Sequence, residues 1–185
     1  VIGYFINPNS KNLLNHLKEV RRIERESAER SIEKLRYFGC NLSVEDLDNL
    51  GSDTFGWPLL RLLIQKGYVN NVKEYYEKYM GPGRIGYVRT PYPEVDEIIN
   101  VIESAGGIPT LAYPGTYNID FEVMKEIIEC GIKALETYSH HHTPEQTRFF
   151  LEYVKNHNLL VTGGSGLIWI SPTHRLNAAN ILHRV

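Results

Sequence analysis

The sequence predicts an α/β protein with parallel strands, carrying a long helical stretch near its start. Three observations predict this. After Gly81-Pro82-Gly83, short β-prone runs alternate with helical ones through short connections, the pattern of right-handed strand–helix–strand units. Before it, residues 10–80 are almost entirely patterned as helix. The whole is 185 residues, 42% hydrophobic and 23% charged, which suits one globular domain or one domain with a small insert.

Charge and composition exclude several classes. A net charge of −2 gives no global basic field to draw the chain onto nucleic acid or anionic lipid. The apolar runs are only a few residues long, far short of the ~20 that a membrane helix needs, so no membrane partner is expected. Two cysteines, Cys40 and Cys130, exclude a disulfide-dense scaffold and a four-cysteine zinc site. No signal peptide is evident, and the expected location is cytoplasmic with both thiols reduced. The chain opens on Val1 rather than Met, so a preceding segment is expected.

The elements follow in order. Residues 1–5 are short and β-prone, and Asn7-Pro8-Asn9-Ser10 breaks the strand and can cap a helix. From Lys11 to Phe38, apolar residues such as Leu13, Leu14, Leu17, Ile32, Leu35 and Phe38 recur at helical steps, and Gly39 stops the run. Its other faces carry mixed charges, which favours a solvated face with ion pairs over a nucleic-acid surface. Ser43 caps a short helix to about Leu50; Pro58 opens another that ends at Gly67. A further helix is expected from Asn71 to Met80. Its tyrosines 75, 76 and 79 are read as packing at helical spacing, with a stacking platform for bases as the alternative. A strand is expected near Tyr87–Arg89. Then come helix 94–105, strand 109–113, helix 121–130, strand 133–138, a helix opened by Thr143-Pro144-Glu145, and strand 159–162. Phe149, Phe150, Tyr153 and Val154 are expected to face inward from that last helix.

Active sites in such folds collect where strands end. Those ends read Tyr113-Pro114-Gly115, Tyr138-Ser139-His140-His141-His142 and Gly163-Gly164-Ser165-Gly166. Adjacent histidines diverge in an extended chain, so one metal rarely takes all three. The glycine-rich turn could cradle phosphate through its N–H groups, although it lacks the ending of a P-loop. Neither cysteine has a base beside it in sequence, which argues against a thiol nucleophile.

Taken together these turns resemble the PHP (polymerase and histidinol phosphatase) family. The segment Ala105–Gly115 resembles A-G-G-x-P-v-L-A-H-P-G, Leu135–Gln146 resembles I-E-v-Y-H-x-x-H-s-P-E-Q, and Leu160–Ser165 resembles the start of L-x-v-T-G-G-S-D-F-H-G. Upstream, Val1-Ile2-Gly3-Tyr4 resembles H-i-L-G-Y, and Gly67-Tyr68-Val69 fits the end of an inserted helical region. The resemblance points to the bacterial subgroup acting on nucleoside bisphosphates and RNA ends. It implies a partial or distorted PHP-type β/α barrel with a helical insert, with residues 1–8 and 84–185 as the barrel portion and 9–83 as the insert. It also implies a phosphoesterase in which a cluster of divalent manganese, iron or zinc generates hydroxide and neutralises phosphate.

This chain departs from the family at nearly every ligand. Tyr113 stands for the histidine of A-H-P-G, and Ser139 for the first histidine of Y-H-x-x-H; only the second aligns, with His142. Gly166 and Ile168 stand for the Asp and His of G-S-D-F-H, and Trp57-Pro58-Leu59 for R-P-H. Removing several ligands together should abolish a metal cluster, since even outer-shell losses cost about 10–100-fold. No cofactor is therefore expected in this chain and no catalytic residue is assigned. His142 is the one candidate metal ligand, and Ser139, His142, Gly164 and Ser165 are candidates for holding a phosphate or nucleotide. The expected function is a PHP-type phosphoesterase domain that is inactive as this chain; the alternative is a non-catalytic binding or assembly domain. Five strands at most, against roughly eight in a closed barrel, would leave Leu111, Leu135 and Val161 facing a gap. The chain would then self-associate or dock a missing segment, unless Pro172–Val185 folds back as a helix with Leu176, Ile181 and Leu182 as the cover.

Overall fold

The structure, a computed structural model, describes residues 1–50, 57–117 and 120–164. Ser165, Gly166, Ile168 and the expected helix over Pro172–Val185 lie outside the described residues. The chain forms two compact units: Val1–Leu17 together with the chain from Pro93 onward, and Lys18–Tyr92. The boundary falls within the first helix, α1 (Lys11–Tyr37).

The first unit holds a four-stranded sheet in the order β1 (Ile2–Tyr4), β2 (Ile108–Leu111), β3 (Ala134–Ser139), β4 (Leu160–Gly164). β2, β3 and β4 are parallel, as the alternation predicts, and are joined by α6 (Phe121–Glu129) and α7 (Pro144–Asn156). β1 pairs antiparallel with β2, Gly3 opposite Pro109. The parallel rule binds only strands joined by a single crossover, and about a hundred residues separate these two.

Each helix of this layer has a visible start and stop. α5 (Val95–Ser104) ends as Gly106 takes a left-handed φ of 75°, letting the N–H of Gly107 donate to the Ile102 carbonyl at 2.9 Å. α7 opens on a capping box. Thr143 Oγ1 accepts from the Gln146 N–H at 3.2 Å, and Gln146 Oε1 accepts from the Thr143 N–H at 2.9 Å. Pro144 follows at the first helical position, where no N–H is missed.

The inner faces of α5, α6 and α7 close over one side of the sheet. Ile99, Met124, Phe150, Tyr153 and Val154 pack with Leu111 and Leu135. Leu111 and Leu135, expected at an open face, are therefore core residues, covered by the crossover helices themselves. Of that trio only Val161 is exposed, on β4, an edge of the sheet among the described residues. Phe149, expected inward, is exposed, because its position on α7 falls between the core stripe and solvent.

The second unit is built from α1, α2 (Val44–Asp48), α3 (Pro58–Gln65) and α4 (Val72–Glu74). Ile32, Leu35, Leu60, Leu62 and Leu63 are fully buried in it, whereas Phe38, at the end of the α1 run, is exposed. Ser43 caps α2 as expected, its Oγ accepting from the Asp46 N–H while Asp46 Oδ2 accepts from the Ser43 N–H at 2.8 Å. The charged face of α1 is laced by ion pairs, Arg25 reaching both Glu29 and Asp48.

Two expectations fail here. The helix expected from Asn71 to Met80 is α-helical only over α4; it widens into a π-helix over Tyr75–Met80, closed by the Gly81 N–H donating to the Tyr76 carbonyl at 2.8 Å. A Cβ at position 81 would press on that carbonyl, so the closure requires glycine. No strand forms over 87–89, because those residues leave a turn: the Tyr87 N–H donates to the Arg84 carbonyl, and the Tyr87 carbonyl accepts from Lys34 Nζ at 2.7 Å.

Candidate functional site

Parallel strands place their C-terminal turns at one end of the sheet. Here those turns are knitted together by Gly115, Glu136 and His142. His142 follows β3. The Gly115 N–H donates to its Nε2 at 3.2 Å, which obliges Nδ1 to carry the proton, and Nδ1 lies 3.0 Å from the Thr137 carbonyl. Gln146 grips the same residue from its other peptide group, its Nε2 donating to the Gly115 carbonyl at 3.2 Å. Both polar groups of Gly115 are thus engaged, and its missing side chain is needed. A Cβ there would come within 2.8 Å of the His142 ring and 3.0 Å of Gln146.

Thr137 marks an irregularity in the ladder. Glu136 pairs with Thr162 and Tyr138 with Gly163, so β3 carries one extra residue. Such bulges re-aim neighbouring side chains beside functional sites. Glu136 is buried, and one of its oxygens accepts from the Tyr113 N–H at 3.0 Å. Tyr113 itself sits at φ 26°. Gly164 lies hard against the Glu136 carboxylate and leaves no room for a Cβ. The role of Gly164 in these contacts is to seat Glu136.

Of the residues singled out from sequence, Ser139, His142 and Gly164 come together, Ser139 pairing with Gly164 across β3 and β4; Ser165 lies outside the described residues. Several of their hydrogen-bonding groups are already engaged. Ser139 Oγ accepts from the His141 N–H at 3.3 Å, and the Ser139 carbonyl accepts from the His142 N–H at 3.1 Å. The N–H groups of Tyr113 and Gly115, which a phosphate would need, point to Glu136 and His142 instead. His140 and His141 are exposed and lie ring on ring, 3.7 Å between centroids, with Tyr113 beside His141. Desolvation, and then the neighbouring histidines, hold the His141 imidazole below its ordinary value. Among the described residues no three His, Cys, Asp or Glu side chains are grouped so as to hold a metal ion.

Sequence reasoning missed Glu136 and Gln146. The signal for Gln146 lay in Thr143-Pro144-Glu145-Gln146, which spells a capping box whose glutamine has a spare amide. Glu136 could have been flagged as a carboxylate inside a run otherwise suited to a buried strand.

Burial pushes the Glu136 carboxyl above its ordinary value of 4.5, against the opposing pull of the Tyr113 N–H and of His142. The folded protein therefore binds this proton more tightly than the unfolded chain does. The group's contribution is fully present below the unfolded pKa and is lost as pH rises through the folded one. Glu136→Gln keeps a carbonyl oxygen for the Tyr113 N–H and removes the buried charge. Its expected result is a melting temperature at neutral pH no lower than the parent's, with the decline above pH 4.5 flattened. A variant that melts well below the parent at neutral pH would contradict this; urea or thermal melts between acid and neutral pH measure it.

No family model matches the chain. It is 24% identical over 179 residues to a 3',5'-nucleoside bisphosphate phosphatase of Chromobacterium violaceum, covering 89% of this chain and 60% of that protein. It is 28% identical over 138 residues to the 5'-3' exoribonuclease Rnm of Escherichia coli, covering 72% of this chain and 47% of that one. The chain thus spans roughly half to three-fifths of the length of these relatives. Among solved structures it is similar to an amidohydrolase from Chromobacterium violaceum with bound sulfate and no metal, with a TM-score of 0.76 at 24% identity, over 88% of this chain and 60% of that one. It is also similar to a metal-dependent phosphoesterase from Bifidobacterium adolescentis, with a TM-score of 0.75 at 21% identity, over 92% and 63% of the two chains. The resemblance read from the strand-end turns is borne out: the chain is PHP-like, and its α/β architecture is that of PHP-type phosphoesterases. No helix among the described residues is long and apolar enough to cross a membrane.

Proposed function

We propose that this chain is a PHP-like phosphoesterase domain that does not assemble a divalent metal cluster and does not hydrolyse phosphate esters by itself. The observation that carries this is the state of His142. It is the one histidine aligned with a family ligand, and both its ring nitrogens are engaged by the backbone, at Gly115 and Thr137. A metal needs a free imidazole lone pair, and here the Nε2 lone pair receives an N–H. The other donors do not replace it. Glu136 is turned to the Tyr113 N–H and carries a raised pKa. Tyr113 offers a phenol, a poor substitute for imidazole, and Gly166 and Ile168 have no side-chain donor. The residues present do not fit the metals of the family, so no catalytic step is assigned to them.

Nucleotide or phosphate binding at these turns would require the Tyr113 and Gly115 N–H groups to break existing bonds. The strand-end turns act in this reading as an internally bonded scaffold.

The test is elemental analysis of the purified protein after dialysis, with assay on a nucleoside 3',5'-bisphosphate in added manganese. The expected result is well under one metal per chain and no manganese-dependent phosphate release. Stoichiometric manganese, iron or zinc, or release that scales with protein and is abolished by chelator, would overturn the proposal.

A further inference from the structure

The helical unit, Lys18–Tyr92, has a cavity of its own of about 330 Å³. Ligand pockets start at about 300 Å³, so it is large enough for a small molecule. We propose that it binds the quaternary ammonium group of a small organic cation, enclosed by aromatic side chains and balanced by the Glu24 carboxylate. This goes beyond the reading above, because it makes no use of the strand-end turns and involves no phosphate ester.

Aromatic side chains supply the walls. Trp57, Tyr75, Tyr76 and Tyr92 all line the cavity. Tyr76 stands at 88° to Trp57 and at 82° to Tyr75, with centroids 6.1 and 5.2 Å apart. Rings at right angles along one cavity make adjoining walls rather than a flat slot, so the space suits a rounded group better than a planar one. A quaternary ammonium is rounded, donates no hydrogen bond, and is attracted by the electron-rich surface of aromatic rings. Tyr76 and Tyr92 are 44% and 54% exposed, so such a group can reach the cavity from solvent.

Charge sets the sign of the ligand. Glu24 lines the same cavity from α1 and is half-buried, its Oε1 accepting from the Tyr92 hydroxyl at 3.2 Å. The neighbouring cations on α1 are committed elsewhere, Arg22 to Glu19 and Glu26, Arg25 to Glu29 and Asp48. Arg89, also on the lining, is exposed and forms no ion pair with Glu24. The carboxylate therefore faces the cavity without a cationic partner among the described residues. Burial, then Glu24, pushes the Tyr92 phenol up to about 12; burial, then Tyr76 and Tyr92, pushes the Tyr75 phenol up as well. The share of those shifts that comes from neighbouring groups reflects a field that opposes further negative charge, and the same field favours a cation.

The backbone explains how the walls come together. Tyr75 and Tyr76 open the π-helix, which spreads more residues over each turn than an α-helix. Adjacent side chains then diverge less, and both tyrosines reach one cavity. Trp57 meets them from a left-handed position, φ 50° and ψ 56°, just before Pro58 opens α3.

Choline tests this by isothermal titration calorimetry on the full chain, beside dimethylbutanol, in which a neutral carbon replaces the quaternary nitrogen. The expected result is saturable binding of choline in the submillimolar range and none of dimethylbutanol at the same concentrations. Tyr76→Ala removes a half-exposed wall and should weaken choline about tenfold, while Tyr76→Phe keeps the ring and holds binding within about twofold of the parent. Glu24→Gln keeps an acceptor for the Tyr92 hydroxyl, removes the charge, and should weaken choline about fivefold. Both side chains are partly in water, so neither change is expected to unfold the unit. No saturable heat at millimolar choline would overturn the proposal. So would equal binding of dimethylbutanol, or choline binding left unchanged by Tyr76→Ala or by Glu24→Gln. None of these outcomes depends on metal content or phosphate release, so the proposed function keeps its own test.

Discussion

His142→Ala is expected to destabilise the sheet unit by about 2–3 kcal/mol. Two part-buried bonds are lost at once. The Gly115 N–H loses its acceptor and the Thr137 carbonyl its donor, and the ring's contact with Phe150, 4.9 Å between centroids, goes with them. Water can reach a half-exposed site and recover part of the loss, which sets the upper end of that range. Gln146→Ala should cost less, because its Gly115 bond is a single neutral one, although the α7 capping box is lost with it. Since both residues hold Gly115, through its N–H and its carbonyl, the double variant should be non-additive by about 0.5–1 kcal/mol. Urea denaturation of the four proteins measures all of this. Strict additivity, or a His142→Ala cost below about 0.5 kcal/mol, would mean the ring does not clamp the turn and has a lone pair to give.

That clamp explains which parts of the site could be read in advance. Short-range chemistry was legible. Ser43, Thr143, Pro144 and Gly106 start or stop helices by rules that need only neighbouring residues. The convergence of the turns at Gly115, Ser139–His142 and Gly164 was legible too, since it follows from parallel pairing and the order of the motifs. What each turn does with its hydrogen bonds was not. A triple histidine suggests metal or solvent, and only the fold reveals that His142 reaches back across 27 residues to Gly115. The antiparallel β1 was hidden for a related reason: three residues carry no directional signal, and their partner lies a hundred residues away. The π-helix was hidden because Tyr75–Met80 has ordinary helical spacing, and its widening is settled by the closure at Gly81.

Leu135→Ala is expected to cost about 3–5 kcal/mol, the largest effect of any single truncation considered. Leu135 has no exposed surface and belongs to a cluster fed by three helices, by α5 through Ile99 and by the crossover helices α6 and α7 through Met124 and Phe150. Deleting its branched end leaves a void that rigid neighbours on β2 and β4 cannot collapse into, so a cavity cost adds to the lost burial. Val161→Ser, at the position paired with Leu135 in the next strand, should by contrast cost under about 1 kcal/mol, because 37% of Val161 is already in water. Register puts Leu135 and Val161 on the same face of the sheet, so the pair decides how far across that face the helix cover extends. The strand count read from sequence would leave Leu111, Leu135 and Val161 facing a gap and give the two substitutions similar, small effects. The crossover helices instead cover Leu135 while β4, an edge strand among the described residues, leaves Val161 exposed. Chemical denaturation of both variants, compared at equal slope, measures the difference. Equal costs, or a Leu135→Ala cost near 1 kcal/mol, would contradict the packing described for β3.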